Sequence, residues 1–186
     1  MLRDAFTGLW GLYAVVWTVA AFGSKRAVRR QSAKSTILHS LLVTLGFLLI
    51  FQPWRLGRLN VRFVPDTPST AICGLAIAVA GIGLAFWARF TLGGNWSSTV
   101  TIKEDHRLIR SGPYRMVRHP IYSGILLAAL GTAIGYGTVP CLIGLAIASF
   151  HFCTKWRLEE RFMERQFGAQ YIEYRREVKA LIPGLL

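Results

Sequence analysis

The sequence predicts an all-α fold: a polytopic membrane bundle of about five helices, in which spans four and five form a hairpin and a helical segment follows on the cytoplasmic side. Three observations predict it. Of 186 residues, 53% are hydrophobic and only 17% are charged, against roughly a quarter charged in soluble domains. The apolar residues fall in runs of about 17–20 positions without Asp, Glu, Lys or Arg, long enough for a hydrocarbon core of roughly 30 Å. The basic residues sit in alternate connections between those runs, as the positive-inside rule requires.

Span one is read at 5–23. Only Arg3 precedes its apolar run and no small-residue cleavage site follows, so it is expected to be a retained helix and not a cleaved signal. Span two is read at 36–54 and span three at 69–90. A polar stretch over 91–119 leads into span four at 121–136. The short connection Gly135-Tyr136-Gly137-Thr138-Val139-Pro140 then turns tightly into span five at 138–153. Both hairpin arms are short for a full crossing, so tilt or a cytoplasmic extension over 153–165 is expected. After Gly168 a last helix starts at Gln170 and is expected to run to about Ile182-Pro183, with Tyr171, Tyr174, Val178 and Leu181 on one face. Residues 1–90 thus supply three spans and 91–186 the polar half of a single domain.

Charge fixes the orientation. Connections 24–35 and 89–119 and the tail hold eighteen of the 22 Lys and Arg residues; Arg3, Arg55, Arg58 and Arg62 are the other four. The N-terminus is therefore expected outside and the tail in the cytoplasm of an integral membrane protein, which for a bacterial chain means the cell inner membrane. This sidedness also accounts for the net charge of +13 without a nucleic-acid partner, for which a basic balance alone is a weak pointer. Glycines at helical spacing, including Gly81, Gly83, Gly124, Gly131, Gly135 and Gly144, suit close helix approach in lipid. Cys73, Cys141 and Cys153 lie in or beside apolar segments without ligand spacing and read as packing residues. No metal site is expected.

Two polar clusters carry the candidate chemistry. In the first, Gly112-Pro113 forces a turn and Pro120 suits the opening position of span four. Arg118 and His119 then stand at the positive end of a helix, which attracts anions. Read alone, Arg118 is equally a headgroup contact and His119 a helix cap. The second cluster, at the end of span five, contains His151, Lys155, Trp156, Arg157, Glu159, Glu160 and Arg161. Twin glutamates beside lipid are costly unless partnered. Their side chains diverge by about 100° on a helix, so at least one faces inward. Phosphate-binding, dinucleotide-binding, HExxH and GxSxG motifs are lacking.

The pattern Arg-His-Pro-x-Tyr-x-Gly at 118–124, preceded by Gly-Pro-Tyr at 112–114, resembles the core motif of the isoprenylcysteine carboxyl methyltransferase family. Leu92-Gly93-Gly94-Asn95-Trp96-Ser97 and Lys103-Glu104-Asp105-His106-Arg107-Leu108 resemble its prokaryotic members. So do Glu159-Glu160-Arg161-Phe162, Phe167-Gly168-x-x-Tyr171-x-x-Tyr174 and Ile182-Pro183. The resemblance implies an integral membrane enzyme that takes S-adenosyl-L-methionine, releases S-adenosyl-L-homocysteine, and encloses the cofactor between the hairpin and the C-terminal segment.

Its implied cofactor surface comprises Leu108, Gly112, Tyr114, Arg118, His119, Pro120, Tyr122, Trp156, Glu159 and Glu160. Arg118 and His119 suit the cofactor carboxylate, Glu159 or Glu160 its amine or ribose, and Tyr114, Tyr122 and Trp156 its adenine. Arg118, Arg157 and Arg161 are the catalytic candidates, the last two for orienting an acceptor carboxylate. The implied acceptor is a lipophilic or prenylated molecule reached from the bilayer and methylated on a carboxylate. The alternatives are N- or S-methylation of a phospholipid or small molecule, an NADPH-dependent sterol-like reductase, and a non-catalytic membrane scaffold.

Overall fold

The computed structural model describes residues 2–22, 27–30, 33–51, 57–96, 101–103 and 108–185. Within the family-like motifs, Ser97 and residues 104–107 lie outside the described residues, as do Lys25, Arg26 and Arg55 of the charge count. Among the described residues six α-helices form the body: α1 (Leu2–Ala21), α2 (Ala33–Phe51), α3 (Pro68–Leu92), α4 (Pro120–Tyr136), α5 (Val139–Phe167) and α6 (Ala169–Glu177). Among the described residues, α3 and α5 are long and apolar enough to cross a membrane; 37–51 and α4 are shorter apolar helices.

The bundle is joined by small residues. Packing along α3 and α4 brings backbone against backbone, because lipid supplies no hydrophobic drive between helices and close van der Waals contact must replace it. A Cβ added to Gly81 would lie 2.4 Å from the Ala128 nitrogen, and one on Gly131 would lie 2.5 Å from the Ala78 nitrogen. Gly46 and Gly144 join α2 to α5 in the same way, at 2.4 Å from a Gly144 Cβ to the Gly46 oxygen. Gly83, expected to join this set, meets nothing within 4 Å.

α1 contributes an aromatic stripe at helical spacing. Phe6 and Trp10 are buried, and Tyr13 and Trp17 pack beside the core. The Trp10 indole donates to the Thr132 hydroxyl at 3.0 Å, so both polar groups are satisfied where no water can reach. The other face, Leu12, Val15 and Val19, is exposed apolar surface.

The two ends of the bundle differ. At one end the 57–67 connection covers the hairpin tip: Phe63 N–H donates to the Gly137 carbonyl at 2.9 Å and Val139 N–H to Val61 at 2.8 Å. Gly137, at φ 70°, ends α4 in the left-handed conformation, which glycine adopts without steric cost. At the other end β1 (Ala27–Arg30) pairs antiparallel with β2 (Thr101–Lys103), so the helical body carries a small two-stranded ribbon. The ribbon ties together two of the three basic connections. Arg89, at the end of α3, donates to the Gly93 carbonyl at 2.9 Å and to the Ala20 carbonyl, giving α1's last turn an acceptor's partner.

One boundary follows the expected extension of span five and one differs from the sequence reading. α5 runs unbroken for 29 residues, so the twin glutamates ride on the helix that also forms the hairpin arm. The last helix stops at Glu177, well before Ile182-Pro183. Residues 178–185 form a non-helical strap instead, bridged at Lys179 to Val117 and closing over 182–185 in a turn. Its carbonyls are taken by the turn before α4, with Arg118 N–H on Lys179 at 2.8 Å and His119 N–H on Ala180 at 2.9 Å. A helix there would have turned those acceptors inward.

Candidate active site

The site is assembled at the end of the bundle that holds the start of α4. Pro120 opens that helix and His119 is its N-cap residue, but the imidazole makes no capping hydrogen bond. It turns instead toward α5. His119 Nε2 lies 3.4 Å from Glu160 Oε1, and Nδ1 lies 3.6 Å from Glu159 Oε2. One ring thus lies between the two carboxylates, and the 100° between adjacent helical positions is what allows both to reach it.

Arg118 completes the cluster. Its Nε and Nη2 donate to Glu160 Oε1 at 2.8 and 2.6 Å. Its Nη1 donates to the carbonyls of Arg175 at 3.2 Å and of Val178. The side chains of Arg118 and Glu160 are 8% and 10% exposed, and a buried pair of this kind persists only when its remaining donors are also satisfied. Tyr122 stacks under His119 with its ring nearly parallel, centroids 5.5 Å apart. Its hydroxyl donates to Glu159. The Lys155 ammonium lies 5.5 Å from the centre of the Tyr122 ring.

The C-terminal strap closes the arrangement from the other side. Ser123 Oγ donates to the Leu181 carbonyl at 2.6 Å and the Tyr174 hydroxyl to the Tyr114 carbonyl at 2.6 Å. Between strap and α5 lies a cleft of about 390 Å³ lined by Arg118, Trp156, Arg157, Glu160, Arg175, Lys179, Ala180 and Leu185.

Of the sequence-predicted residues, Arg118, Trp156, Arg157 and Glu160 line this cleft. His119, Glu159, Tyr122 and Pro120 stand directly behind it as its support. Gly112 and Tyr114 pack instead on α3: the Tyr114 hydroxyl donates to the Ala88 carbonyl at 3.4 Å, and a Cβ on Gly112 would touch Thr91. Leu108 is half-buried and Arg161 is exposed; neither belongs to the cleft lining. Arg175, Lys179, Ala180 and Leu185 were not predicted: Arg175 sits in the last turn of α6, and the non-helical strap that carries the other three leaves no periodicity to read.

Burial alone lowers the pKa of His119, but its hydrogen bonds to Glu159 and Glu160 outweigh that and raise it above the ordinary 6.5. A raised value means that the charged form is stabilised by folding. Its contribution is complete below about pH 6.5 and is lost as the pH climbs through the raised value. Thermal stability of the wild type relative to His119→Asn, followed from about pH 5.5 to about pH 9, should therefore shrink with rising pH. A gap that widens would contradict the imidazolium assignment.

Comparison with known proteins places this geometry. The family model for the isoprenylcysteine carboxyl methyltransferase (ICMT) family matches residues 74–165. Protein-S-isoprenylcysteine O-methyltransferase B of Arabidopsis thaliana is 31% identical over 155 residues, covering 76% of this chain and 79% of that protein. Its A counterpart is 30% identical over 164 residues, covering 84% and 83%. The chain belongs to the isoprenylcysteine carboxyl methyltransferase family. A solved structure of a eukaryotic intramembrane Ras methyltransferase of this family matches with a TM-score of 0.55 at 26% identity, over 85% of this chain and 55% of that one. The chain likewise spans 55% of the length of the Xenopus laevis relative, with which it shares 31% identity. The family match takes in α4 and nearly all of α5, and hence the Arg118, His119 and Glu160 cluster. The strap that closes the cleft lies beyond it.

Proposed function

We propose that this chain transfers a methyl group from S-adenosyl-L-methionine to a lipophilic acceptor at the cytoplasmic face of a membrane, and that the acceptor group is a carboxylate of the isoprenylcysteine type. The observation that carries this reading is the meeting of Arg118 and His119 with Glu159 and Glu160 beside the cleft, at the rim of an apolar bundle, in a member of this family. Five spans, with the N-terminus outside and the site in the cytoplasm, accord with the common end shared by the ribbon, the site and the basic connections.

The residues present suit such a cofactor. It combines a carboxylate, an amine, a sulfonium and an adenine, and the cleft offers an arginine, a carboxylate and an indole within one small volume. Arg118 would hold the carboxylate, Glu160 the amine, and Trp156 the adenine face. Of the other two aromatics, Tyr122 supports His119 and Tyr114 braces α3. When bound, S-adenosylmethionine supplies a methyl group on a positively charged sulfur.

An acceptor carboxylate is already ionised at neutral pH, so the protein needs no general base. Its work is orientation and exclusion of water. Arg157 lines the cleft and is placed to orient the acceptor. Arg161, exposed one turn further along α5, fits an approach role better than a contact with the reacting atoms. The exposed apolar surfaces of α1 and α2 lie among lipid, from which an acceptor tail would enter. Calorimetry of the purified protein with S-adenosylhomocysteine should show saturable binding at micromolar to submillimolar strength, worth about 4 to 8 kcal/mol. No heat, in a preparation that melts cooperatively, would remove the basis of the reading.

A further inference from the structure

We propose that Arg157 and Lys179 select an acceptor with an anionic head, one that bears a second negative charge beside the reacting carboxylate, and that they reject a head flanked by basic residues. The inference rests on the methyl-transfer reading above and adds to it the chemical class of the acceptor.

The argument is a charge count over the walls of the cleft. Four cations line it: Arg118, Arg157, Arg175 and Lys179. Two are compensated. Arg118 is paired with Glu160 at 2.6 Å, and Arg175 is paired with Glu164. Arg157 and Lys179 have no ion pair with a carboxylate among the described residues. They face the cleft from different elements, Arg157 from α5 and Lys179 from the strap, and the side chains of both residues reach solvent. The guanidinium of Arg157 lies 5.9 Å from the neighbouring Trp156 ring, a contact that leaves its charge uncancelled.

The bound cofactor deepens the imbalance. S-adenosylmethionine brings a sulfonium and an ammonium against one carboxylate, a net positive charge. The loaded site would then present about three uncompensated positive charges to whatever enters next. A single acceptor carboxylate cancels one. A head with a further negative charge cancels another and gains attraction from Arg157 and Lys179. A head with added lysines meets like charges at short range, the situation in which electrostatics sets specificity. The hydrophobic tail contributes equally to both heads and does not discriminate.

The test uses two S-prenylcysteines with the same tail and the same free carboxylate. One is N-acylated with succinate and the other with lysyl-lysine. Each displaces a fluorescent prenylcysteine from the full chain in neutral phosphatidylcholine nanodiscs, and each is offered separately for radiolabelled methyl transfer. The succinyl compound is expected to bind at least about tenfold more tightly at low salt, with the ratio falling to about threefold or less near 0.5 M salt. Lys179→Glu, on an exposed residue that the fold holds through its backbone, should cut the low-salt ratio at least about threefold. Equal binding, a preference for the lysyl compound, no displacement by either, or an unchanged ratio in Lys179→Glu would each overturn the proposal. Selective binding without methyl transfer to either compound would leave the charge selectivity standing and overturn carboxylate methylation.

Discussion

Glu160→Gln is expected to weaken S-adenosylmethionine binding by tenfold or more and to lower the stability of the protein. Glu160 accepts two hydrogen bonds from Arg118 and lies 3.4 Å from His119. Glutamine keeps the shape and one acceptor oxygen but removes the charge, so the buried Arg118 guanidinium loses its counter-ion. Removing one partner of a buried ion pair costs about 3 kcal/mol or more. The binding loss corresponds to about 1.4 kcal/mol for each tenfold change. Calorimetry gives the affinity and a melting curve the stability. Glu159→Gln should be milder in binding, since Glu159 supports His119 and Tyr122 from outside the cleft lining. Wild-type affinity in Glu160→Gln would remove the glutamate from the cofactor site.

Gly81→Val should be at least as damaging, for a reason unconnected with chemistry. The Cβ of any side chain there would lie 2.4 Å from the Ala128 nitrogen and 2.5 Å from the Gly124 oxygen. Those are backbone atoms of α4 and cannot swing aside. The helices must separate, which opens the backbone seam between α3 and α4. A loss of about 3 kcal/mol or more is expected, beyond the usual range for overpacking a side-chain core. Gly83→Ala, two residues away with nothing within 4 Å, should stay within about 0.5 kcal/mol of the wild type. Melting temperatures of the two variants in the same detergent provide the comparison. Equal behaviour would show that α3 and α4 do not pack through Gly81.

The contrast between these two glycines shows what a linear reading can and cannot reach. Both sit in the same apolar run, and both were expected at a helix interface. Helical phase decides between them, and only the position of α4 sets that phase. Arg118 and His119 were legible because Pro120 and the preceding Gly-Pro turn mark a helix start in any context. The twin glutamates were legible as a costly pair near lipid. Their sharing of one imidazole was not, since that depends on how α5 is rotated toward α4. Tyr114 was a plausible ring for a ligand by type and proximity in sequence, yet the backbone turn at 112–115 sends it into α3.

By itself the sequence determined the apolar helices, the segregation of basic residues into alternate connections, the hairpin and the motif residues of the site. All of these are local: they depend on composition, period and turn chemistry within a few residues. Only the tertiary structure decided that 178–185 is a non-helical strap ending in a turn, that residues of the strap form one wall of the cleft, and that Arg157 and Lys179 face it without carboxylate partners among the described residues. Those features arise from hydrogen bonds and charges between segments far apart in the chain. Their free energy exists only once the helices have packed, so no local signal in the sequence announces them.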